Sequence, residues 1–459
     1  MAFFKFLRPF KYGLIFLAMV GITSPLWSKG NSRFSTLELF NKVLFIIEHQ
    51  YYRPVDAEKL IDGAINGMVQ TLDPHSTFLD EEQYSKLEED TSGEFAGIGI
   101  EVASKDGVMI IMAVLDDTPA YRAQLHPGDK IIEINHESLL GLNLAQVMEK
   151  MRGPVKSKFS LGILREGSPG ILNFELEREL IKVKAVKAEI LQDDFLFTRL
   201  GQFQKDVGEE LSNAITKAQK KRTTPLKGII LDLRSNPGGL LDEAVNVASI
   251  FLKDGVVVSI GPRDEKAKEI RYVKKTGFKE LELPVVVLVN GASASASEIV
   301  AGALQDHQRA IIMGQTTFGK GSVQTVMKID DKRGIKLTIA QYMTPKGRRI
   351  QALGIKPDIE FDQIAAAYNP FGQFFVREMD LRNHLTATEE TPEEKAHREA
   401  LEKQDRQLRM NNMQNAQKQK TERENEVSGP YQPQQDYQVL QAINYLKSFA
   451  VFKQMQVRP

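Results

Sequence analysis

The sequence contains no cysteine. A thiol nucleophile, a disulfide, a cysteine-ligated zinc or iron–sulfur site and a lipid-modified N-terminal cysteine are therefore all excluded. An excess of either charge is also lacking, because 60 Lys and Arg residues balance 60 Asp and Glu residues. This balance gives no electrostatic reason to expect a nucleic-acid partner, whose binding depends on clustered positive charge.

The apolar run near the N-terminus, residues 12–22, is short for a membrane span. Three basic residues precede it, and the helix-breaking Pro25 follows it, which is the pattern of a secretory signal. The basic residues are Lys5, Arg8 and Lys11. Flanking aromatic residues leave an uncleaved anchor as the alternative. Residues 1–29 are thus predicted to be a signal peptide or a membrane anchor. We expect an exported protein, periplasmic or otherwise extracytoplasmic, with attachment to the inner membrane left open.

Changes in the hydrophobic pattern divide the rest of the 459-residue chain, which is long enough for about three domains. Helical periodicity predicts an N-terminal helical region over residues 30–92. Short strands separated by turns predict a β domain over 93–178, and strand–helix alternation predicts a largely parallel α/β core over 179–370. The charged stretch 371–430 is typical of a polar helix or linker, and 431–459 of an amphipathic helix. The predicted fold class is α/β multidomain.

A serine-rich segment stands where a buried strand is predicted to lead into a helix. It contains Ser293, Ser295 and Ser297, followed by Glu298. Catalytic serines often occupy such a position, because the N-terminus of a helix offers free N–H groups and a positive potential to a developing oxyanion. Ser295 and Glu298 also have the S-x-x-E spacing of an ordinary capping box, and this segment taken alone favours that structural role over a catalytic one. Ser293 and Ser297 remain rival nucleophiles.

A serine nucleophile needs a base, and the α/β core contains one histidine, His307. It falls at the far end of the helix that begins at Ser295, about 18 Å away at 1.5 Å per residue. A Ser–His pair is therefore geometrically poor.

Lysine can serve as the base if its amine is neutral. Lys320 stands between two glycines, and Gln324 follows on the same side of the chain. Lowering a lysine pKa from about 10.4 to about 7 costs roughly 4–5 kcal/mol, which requires an enclosed apolar site. For a lone lysine, a surface charge is the alternative.

Taken together, these segments resemble the carboxyl-terminal processing proteases, also called tail-specific proteases, which are Ser–Lys serine peptidases. The resemblance covers about residues 52–361 and depends on several motifs in order along the chain. The motifs are LDPHS at 72–76, GIGIE at 97–101, LRSNPGG at 233–239, the serine segment at 290–298, GQTTFGKGSVQ at 314–324 and GIKPD at 354–358. Residues 197–203 depart from the strand sequence that is usual in this family. The departure puts in doubt one wall of the expected pocket but leaves the dyad unaffected.

The resemblance implies roles for individual residues. Ser295 is the implied nucleophile, Lys320 the base and Gln324 a helper amide. An oxyanion hole is expected from the backbone N–H of Ala296 and of Gly238 or Gly239, with the choice of glycine left open. His75 of the LDPHS motif is taken as structural. Acyl-enzyme chemistry requires no metal and no cofactor.

The β domain at residues 93–178 is similar to the PDZ domain of this family, which belongs with a protease core of crotonase- or Clp-protease-like fold. The glycine-rich segment can expose backbone N–H groups to a peptide carboxylate, while the adjoining strand edge pairs with an extended chain end. That segment comprises Gly97, Ile98, Gly99 and Ile100. A glycine-kinked strand without this role is the alternative. The resemblance also implies that Arg152 contacts the helper glutamine and that the PDZ domain gates the active site.

The predicted function is that of an exported serine endopeptidase that binds an apolar C-terminal tail through the PDZ domain and cleaves near it. The expected partners are protein substrates, with a homodimer or an adaptor protein left open. One alternative is a PDZ adaptor or scaffold with an inactive core, although such a protein has no use for the Ser295, Lys320 and Gln324 trio. A second is a crotonase-like acyl transferase, which gives no reason for a PDZ domain.

Overall fold

The computed structural model describes three stretches of the chain. They are residues 32–361 (without 106–107, 116, 166, 169, 183, 193, 263–267 and 332), residues 377–381 with 384–385, and residues 431–456. The predicted signal or anchor and most of the predicted charged linker lie outside the described residues. Within these stretches, no helix is both long and apolar enough to cross a membrane.

The chain divides into two compact units, residues 1–68 and 69–459. The described part of the first unit is helical, as predicted. Helix α1 spans Ser32–Gln50, whereas α2 spans Ala57–Gln70 and reaches just past the boundary. The Asp56 carboxylate accepts a hydrogen bond from the Glu58 N–H (3.0 Å) at the start of α2, as an N-cap residue does.

The PDZ region of the second unit is an antiparallel sheet with its own apolar core. Helix α3 (Glu81–Ser92) precedes it and is capped by Asp80. The sheet has the order β3-β4-β5-β7-β8, with β6 beside β5, while β2 pairs with β9. The elements are β2 (Glu94–Gly97), β3 (Ile100–Lys105), β4 (Val108–Val114), α4 (Pro119–Arg122), β5 (Lys130–Ile134), β6 (Glu137–Ser138), α5 (Leu144–Met151), β7 (Lys158–Leu164), β8 (Ile171–Glu177) and β9 (Glu179–Lys182).

The chain breaks between β2 and β3, at residues 98 and 99. Gly99 has φ of +80°, and a Cβ at this position would lie 2.4 Å from the side chain of Thr118. Only glycine fits this left-handed and crowded position. The break makes a short loop between the two strands, and residues 97–100 around it line a pocket.

A six-stranded sheet forms the centre of the α/β core, in the order β10-β11-β12-β15-β16-β19. Strands β11 to β19 of this order run parallel, as predicted, and β10 is antiparallel to β11. Three helices pack on it: α6 (Val207–Lys220), α7 (Leu241–Phe251) and α8 (Ala296–Asp306). The strands are β10 (Val186–Leu191), β11 (Phe195–Leu200), β12 (Gly228–Asp232), β15 (Val285–Val289), β16 (Ala310–Gly314) and β19 (Ile359–Glu360).

A second sheet, entirely antiparallel, was not foreseen from the sequence. Its order is β1-β18-β13-β14, with β17 on the other edge of β18. The strand that opens it, β1, follows the LDPHS motif and pairs with β18 some 260 residues later. Its strands are β1 (Thr77–Leu79), β13 (Val256–Pro262), β14 (Glu269–Tyr272), β17 (Ser322–Lys328) and β18 (Gly334–Met343).

The terminal helix α9 (Tyr437–Gln456) packs against the central sheet and completes its apolar core. Its contribution includes Val439, Ala442, Ile443 and Leu446, all nearly or fully buried. The fully buried Arg234 side chain fixes the junction. It pairs with Asp232 through two 2.8 Å contacts and with Asp436 at 2.9 Å. The helix is therefore part of the core rather than an appendage.

Candidate active site

Ser295 lies at the sharp turn where the chain passes from β15 to α8. Its backbone has φ of +54° and ψ of −112°, a combination that residues with a side chain rarely adopt. Such strain persists only where the surroundings impose it, and it is frequent at functional sites. A strand-to-helix turn of this kind presents a nucleophilic hydroxyl clear of the sheet.

The two rival serines are occupied in holding this turn. The Ser293 hydroxyl donates to the carbonyl oxygen of Leu233 (2.8 Å), and the Ser297 hydroxyl donates to that of Asn236 (3.0 Å). Both side chains are fully buried. Of the three serines, Ser295 is the one that lines the cavity described next.

A cavity of about 870 Å³ brings the predicted catalytic residues together. Ser295, Lys320 and Gln324 line it, and so do Gly239 and Lys336. Residues of helix α3 also form much of the cavity lining. The motifs that are far apart in the sequence therefore meet at one site.

Lys320 is positioned by a loop pressed against residues 351–354. A Cβ on Gly321 would lie 2.3 Å from the backbone nitrogen of Gln351, so a side chain there would displace the loop. Burial lowers the pKa of the Lys320 amine below its ordinary value, and the positive charge of Lys336 lowers it further. Three carboxylates oppose this shift: Glu378, Glu298 and Asp73.

Glu298 is a site residue whose importance the sequence analysis missed. Its buried carboxylate accepts hydrogen bonds from the backbone N–H of Ser295 (2.8 Å), Gly319 (2.7 Å) and Lys320 (2.9 Å), and from the Thr317 hydroxyl. Burial raises its pKa to about 7 against the lowering effect of these four donors. The S-x-x-E spacing explains the bond to Ser295. The same carboxylate also joins the serine turn to the lysine loop.

The two candidate oxyanion glycines differ in their surroundings. The Gly238 N–H donates to Asn236 Oδ1 (2.9 Å), whereas Gly239 lines the cavity. Gly238 has φ of +103°, and a Cβ there would lie 2.7 Å from the Cβ of Ser295. Ala296, the third candidate, is the first residue of α8, where backbone N–H groups have no partner within the helix.

Gln324 lies on β17, with its amide held from one side. Its Nε2 donates to the hydroxyl oxygens of Ser322 (2.9 Å) and Thr338 (3.1 Å). This arrangement turns Oε1 away from both hydroxyls.

His307 lies at the opposite end of α8 from Ser295, as predicted. It caps the C-terminus of the helix, and its Nε2 lies 2.8 Å from the carbonyl oxygen of Val256. A Ser–His pair is therefore not formed. Among the described residues, no cluster of three or more histidine and carboxylate side chains could hold a metal ion.

A second pocket, of about 310 Å³, lies on the PDZ region. The backbone of residues 97–100 and the side chains of Met148, Met151 and Arg152 line it, together with Gln202 of the protease core. The Arg152 guanidinium lies 3.9 Å from the Glu89 carboxylate. Arg152 is thus paired with α3, and Gln324 lines the other cavity.

Comparison with known proteins accords with this geometry. Family models match residues 195–361 as peptidase family S41, 85–164 as a PDZ domain and 24–83 as the N-terminal domain of the activating protease CtpB. The carboxy-terminal-processing protease of Bartonella bacilliformis is 41% identical over 361 residues, covering 78% of this chain and 82% of that protein. The chain belongs to peptidase family S41, the carboxy-terminal processing proteases.

Other members of family S41 are also similar. The carboxy-terminal processing protease CtpA of Bacillus subtilis is 37% identical over 334 residues, covering 72% of this chain and 70% of that protein. The solved structure of a photosystem II D1 C-terminal processing protease aligns with a TM-score of 0.43 at 28% identity, covering 72% of this chain and 87% of that chain. The family models and the curated relatives confirm the predicted family, the mixed α/β fold with a PDZ domain and the serine-type peptidase activity. The domain boundaries and the individual site roles stay predictions.

Proposed function

We propose that this S41 peptidase cleaves its substrates with a Ser295–Lys320 dyad through an acyl-enzyme. Ser295 Oγ attacks the scissile carbonyl while the neutral Lys320 amine takes its proton. The resulting ammonium then gives the proton to the leaving amine, and water releases the acyl group by the same steps. The observation that carries this proposal is one cavity that holds a strained serine and a lysine of lowered pKa.

The oxyanion of the tetrahedral intermediate would be held by the backbone N–H groups of Ala296 and Gly239. Ala296 follows the nucleophile directly at the start of α8, where the helix dipole favours negative charge. Gly239 lines the cavity, whereas the Gly238 N–H is already bonded to Asn236. These facts favour Gly239 over Gly238 as the second donor.

The PDZ pocket is proposed to bind the C-terminal tail of a protein substrate. The loop of residues 97–100 can offer backbone N–H groups to the terminal carboxylate. The apolar side chains of Ile98, Met148 and Met151 favour an apolar final residue. An inactive scaffold has no comparable reason to bury a lysine beside a strained serine.

The decisive experiment for the dyad combines activity with covalent labelling. We expect Ser295→Ala and Lys320→Ala each to abolish peptide hydrolysis, and Lys320→Arg to fail as well because a guanidinium stays protonated. A fluorophosphonate probe should modify Ser295 in the unaltered enzyme. Lys328→Ala changes an exposed lysine at the end of β17, the strand that follows Lys320, and this control should retain activity. Substantial hydrolysis by Ser295→Ala, with the probe on Ser293 or Ser297, would refute the assignment.

We also propose that the enzyme acts outside the cytoplasm, on the basis of the basic and apolar pattern in residues 1–29. Fusing these residues to a reporter enzyme that requires disulfides for activity tests this location, because disulfides form outside the cytoplasm. An active reporter supports export. An inactive one, with the fusion present at normal amount, rejects it.

A further inference from the structure

Asp73 of the LDPHS motif is the centre of a compact hydrogen-bonded cage next to the catalytic cavity. Its Oδ1 accepts from the backbone N–H of His75 (2.8 Å) and Ser76 (2.9 Å), and its Oδ2 accepts from the Ser76 hydroxyl (2.7 Å). A fourth donor comes from β18, where the Thr338 hydroxyl donates to Oδ1 (3.1 Å). Asp73 and Ser76 are both about 95% buried. None of these residues has a role in the dyad described above.

Thr338 connects this cage to Gln324. A threonine hydroxyl has one hydrogen, and here that hydrogen is donated to Asp73. The Thr338 oxygen therefore meets Gln324 as an acceptor, and it receives a hydrogen bond from Nε2 (3.1 Å). The two hydrogen bonds thus form a chain in which Gln324 donates to Thr338 and Thr338 donates to Asp73.

Asp73 sets that direction because an ionised carboxylate can only accept. Although burial alone would raise the pKa of Asp73, the bonds from Ser76, His75 and Thr338 outweigh it and hold the pKa below its ordinary value. Asp73 is consequently ionised at neutral pH. Ser322, the other partner of Nε2, does not impose a direction, since a serine hydroxyl both donates and accepts.

We propose that Asp73 and Thr338 are positioning residues that keep the Oε1 atom of Gln324, rather than its Nε2, directed toward the catalytic lysine. This inference rests on the proposed dyad. An amide oxygen can accept a hydrogen bond from the Lys320 amine and orient its lone pair toward Ser295. An amide NH₂ turned the same way would instead donate to that lone pair and occupy the site needed for the proton of Ser295.

The first test compares two substitutions of Thr338 in the full-length enzyme. Thr338→Val keeps the shape but breaks the chain of hydrogen bonds, so we expect kcat to fall about tenfold, the effect of one hydrogen bond, with KM changed less than twofold. Thr338→Ser retains the hydroxyl and should restore kcat to within about threefold of the unaltered enzyme. Thr325→Val, the same change on the adjacent strand β17 outside the cavity lining, is the matched control.

The second test asks whether Thr338 acts through Gln324. In a double-mutant cycle, Thr338→Val should cost nothing further once Gln324→Ala is present, because there is no amide left to orient. Asp73→Asn should lower kcat like Thr338→Val, since its NH₂ can donate to Thr338 and allow the chain to reverse. A loss that is the same with and without Gln324, or equal losses for Thr338→Val and Thr325→Val, would overturn the inference.

The two proposals fail in different ways. If Ser295→Ala or Lys320→Ala retains hydrolysis, the dyad itself is wrong. If both are inactive while Thr338→Val and Gln324→Ala are additive, the dyad stands and only the positioning role is rejected. Thermal unfolding of each variant separates a loss of orientation from a loss of fold. A positioning role predicts an unchanged Tm for Thr338→Ser. For Thr338→Val, loss of one donor to Asp73 should lower Tm, and kcat should still fall at assay temperatures well below that Tm.

Discussion

The PDZ pocket and the catalytic cavity differ in the residues that line them and in how deeply the nearby charged groups are buried. Most residues that line the first are glycine or apolar, and an ion pair of its domain, Arg122 with Glu179, is about half exposed. In the core that carries the second, the carboxylate of Glu298 and the guanidinium of Arg234 are fully buried. We therefore expect the PDZ region to tolerate the loss of a surface charge. The core should be more sensitive, because a buried charge is costly if a single partner is lost.

The largest contrast is expected between two arginines. Arg234→Ala removes a buried cation and leaves Asp232 and Asp436 without it, so it should cost roughly 3–5 kcal/mol of unfolding free energy. Arg122→Ala breaks an ion pair whose side chains are about half exposed, and should cost less than about 1 kcal/mol. Urea denaturation followed by circular dichroism measures both. Equal losses would remove the contrast between the two regions.

The next largest effect is expected when Glu298, a buried carboxylate of the core, is replaced by glutamine. Glutamine offers one acceptor oxygen instead of two and points an NH₂ at backbone donors, so the serine turn and lysine loop lose their shared anchor. We expect kcat/KM to fall about 100-fold, or about 2.7 kcal/mol. Glu243→Gln is the matched control, since this buried carboxylate accepts from the Gly208 N–H (2.9 Å) away from the cavity lining. Similar losses in both variants would show that Glu298 has no special role.

Amidation of a substrate tail examines the recognition half of the comparison. Removing the terminal negative charge should weaken binding to the loop of residues 97–100 by about 1.5–3 kcal/mol, the scale of a charge-assisted hydrogen bond. Calorimetry with full-length Ser295→Ala protein measures binding without cleavage. A free-acid peptide whose last residue is changed from apolar to Asp serves as the control for the apolar pocket. Equal affinity of amidated and free-acid peptides would exclude carboxylate binding.

The smallest expected effect is a shift in pH dependence. In the proposed dyad the neutral form of Lys320 is the active one, so kcat/KM should rise as pH increases through the pKa of this lysine, which burial holds below its ordinary value. Lys336→Gln removes a like charge that disfavours the ammonium form. The pKa of Lys320 should therefore increase, and the acidic limb should move to higher pH by up to about one unit.

Two controls accompany this profile. His307→Gln should leave the limb unchanged, because His307 lies at the far end of α8. A limb that moves to lower pH in Lys336→Gln would contradict the electrostatic explanation. A limb that disappears in His307→Gln would point to histidine as the base instead.

The sequence was most informative where function depends on short ordered motifs. Ser295, Lys320 and Gln324 stand at fixed places within such motifs, and the structure brings them into one cavity. The contact of Thr338 with Asp73 joins residues 265 positions apart and leaves no periodic signal. Hydrophobic periodicity describes one element at a time. The antiparallel sheet around β18 and the role of Glu298 as a shared anchor both depend on how distant elements meet.

Helix α9 and the residue just before it supply partners of Arg234 that are synthesised about 200 residues after it. Arg234, a few residues before the glycines beside Ser295, finds Asp436 and Gln438 only when residues 431–456 are in place. A nascent chain that already contains Ser295, Lys320 and Gln324 still lacks helix α9 and the residue before it. It therefore lacks part of the apolar core and the Asp436 carboxylate that pairs with Arg234. The buried core around Arg234 is therefore completed only after residues 431–456 have been synthesised.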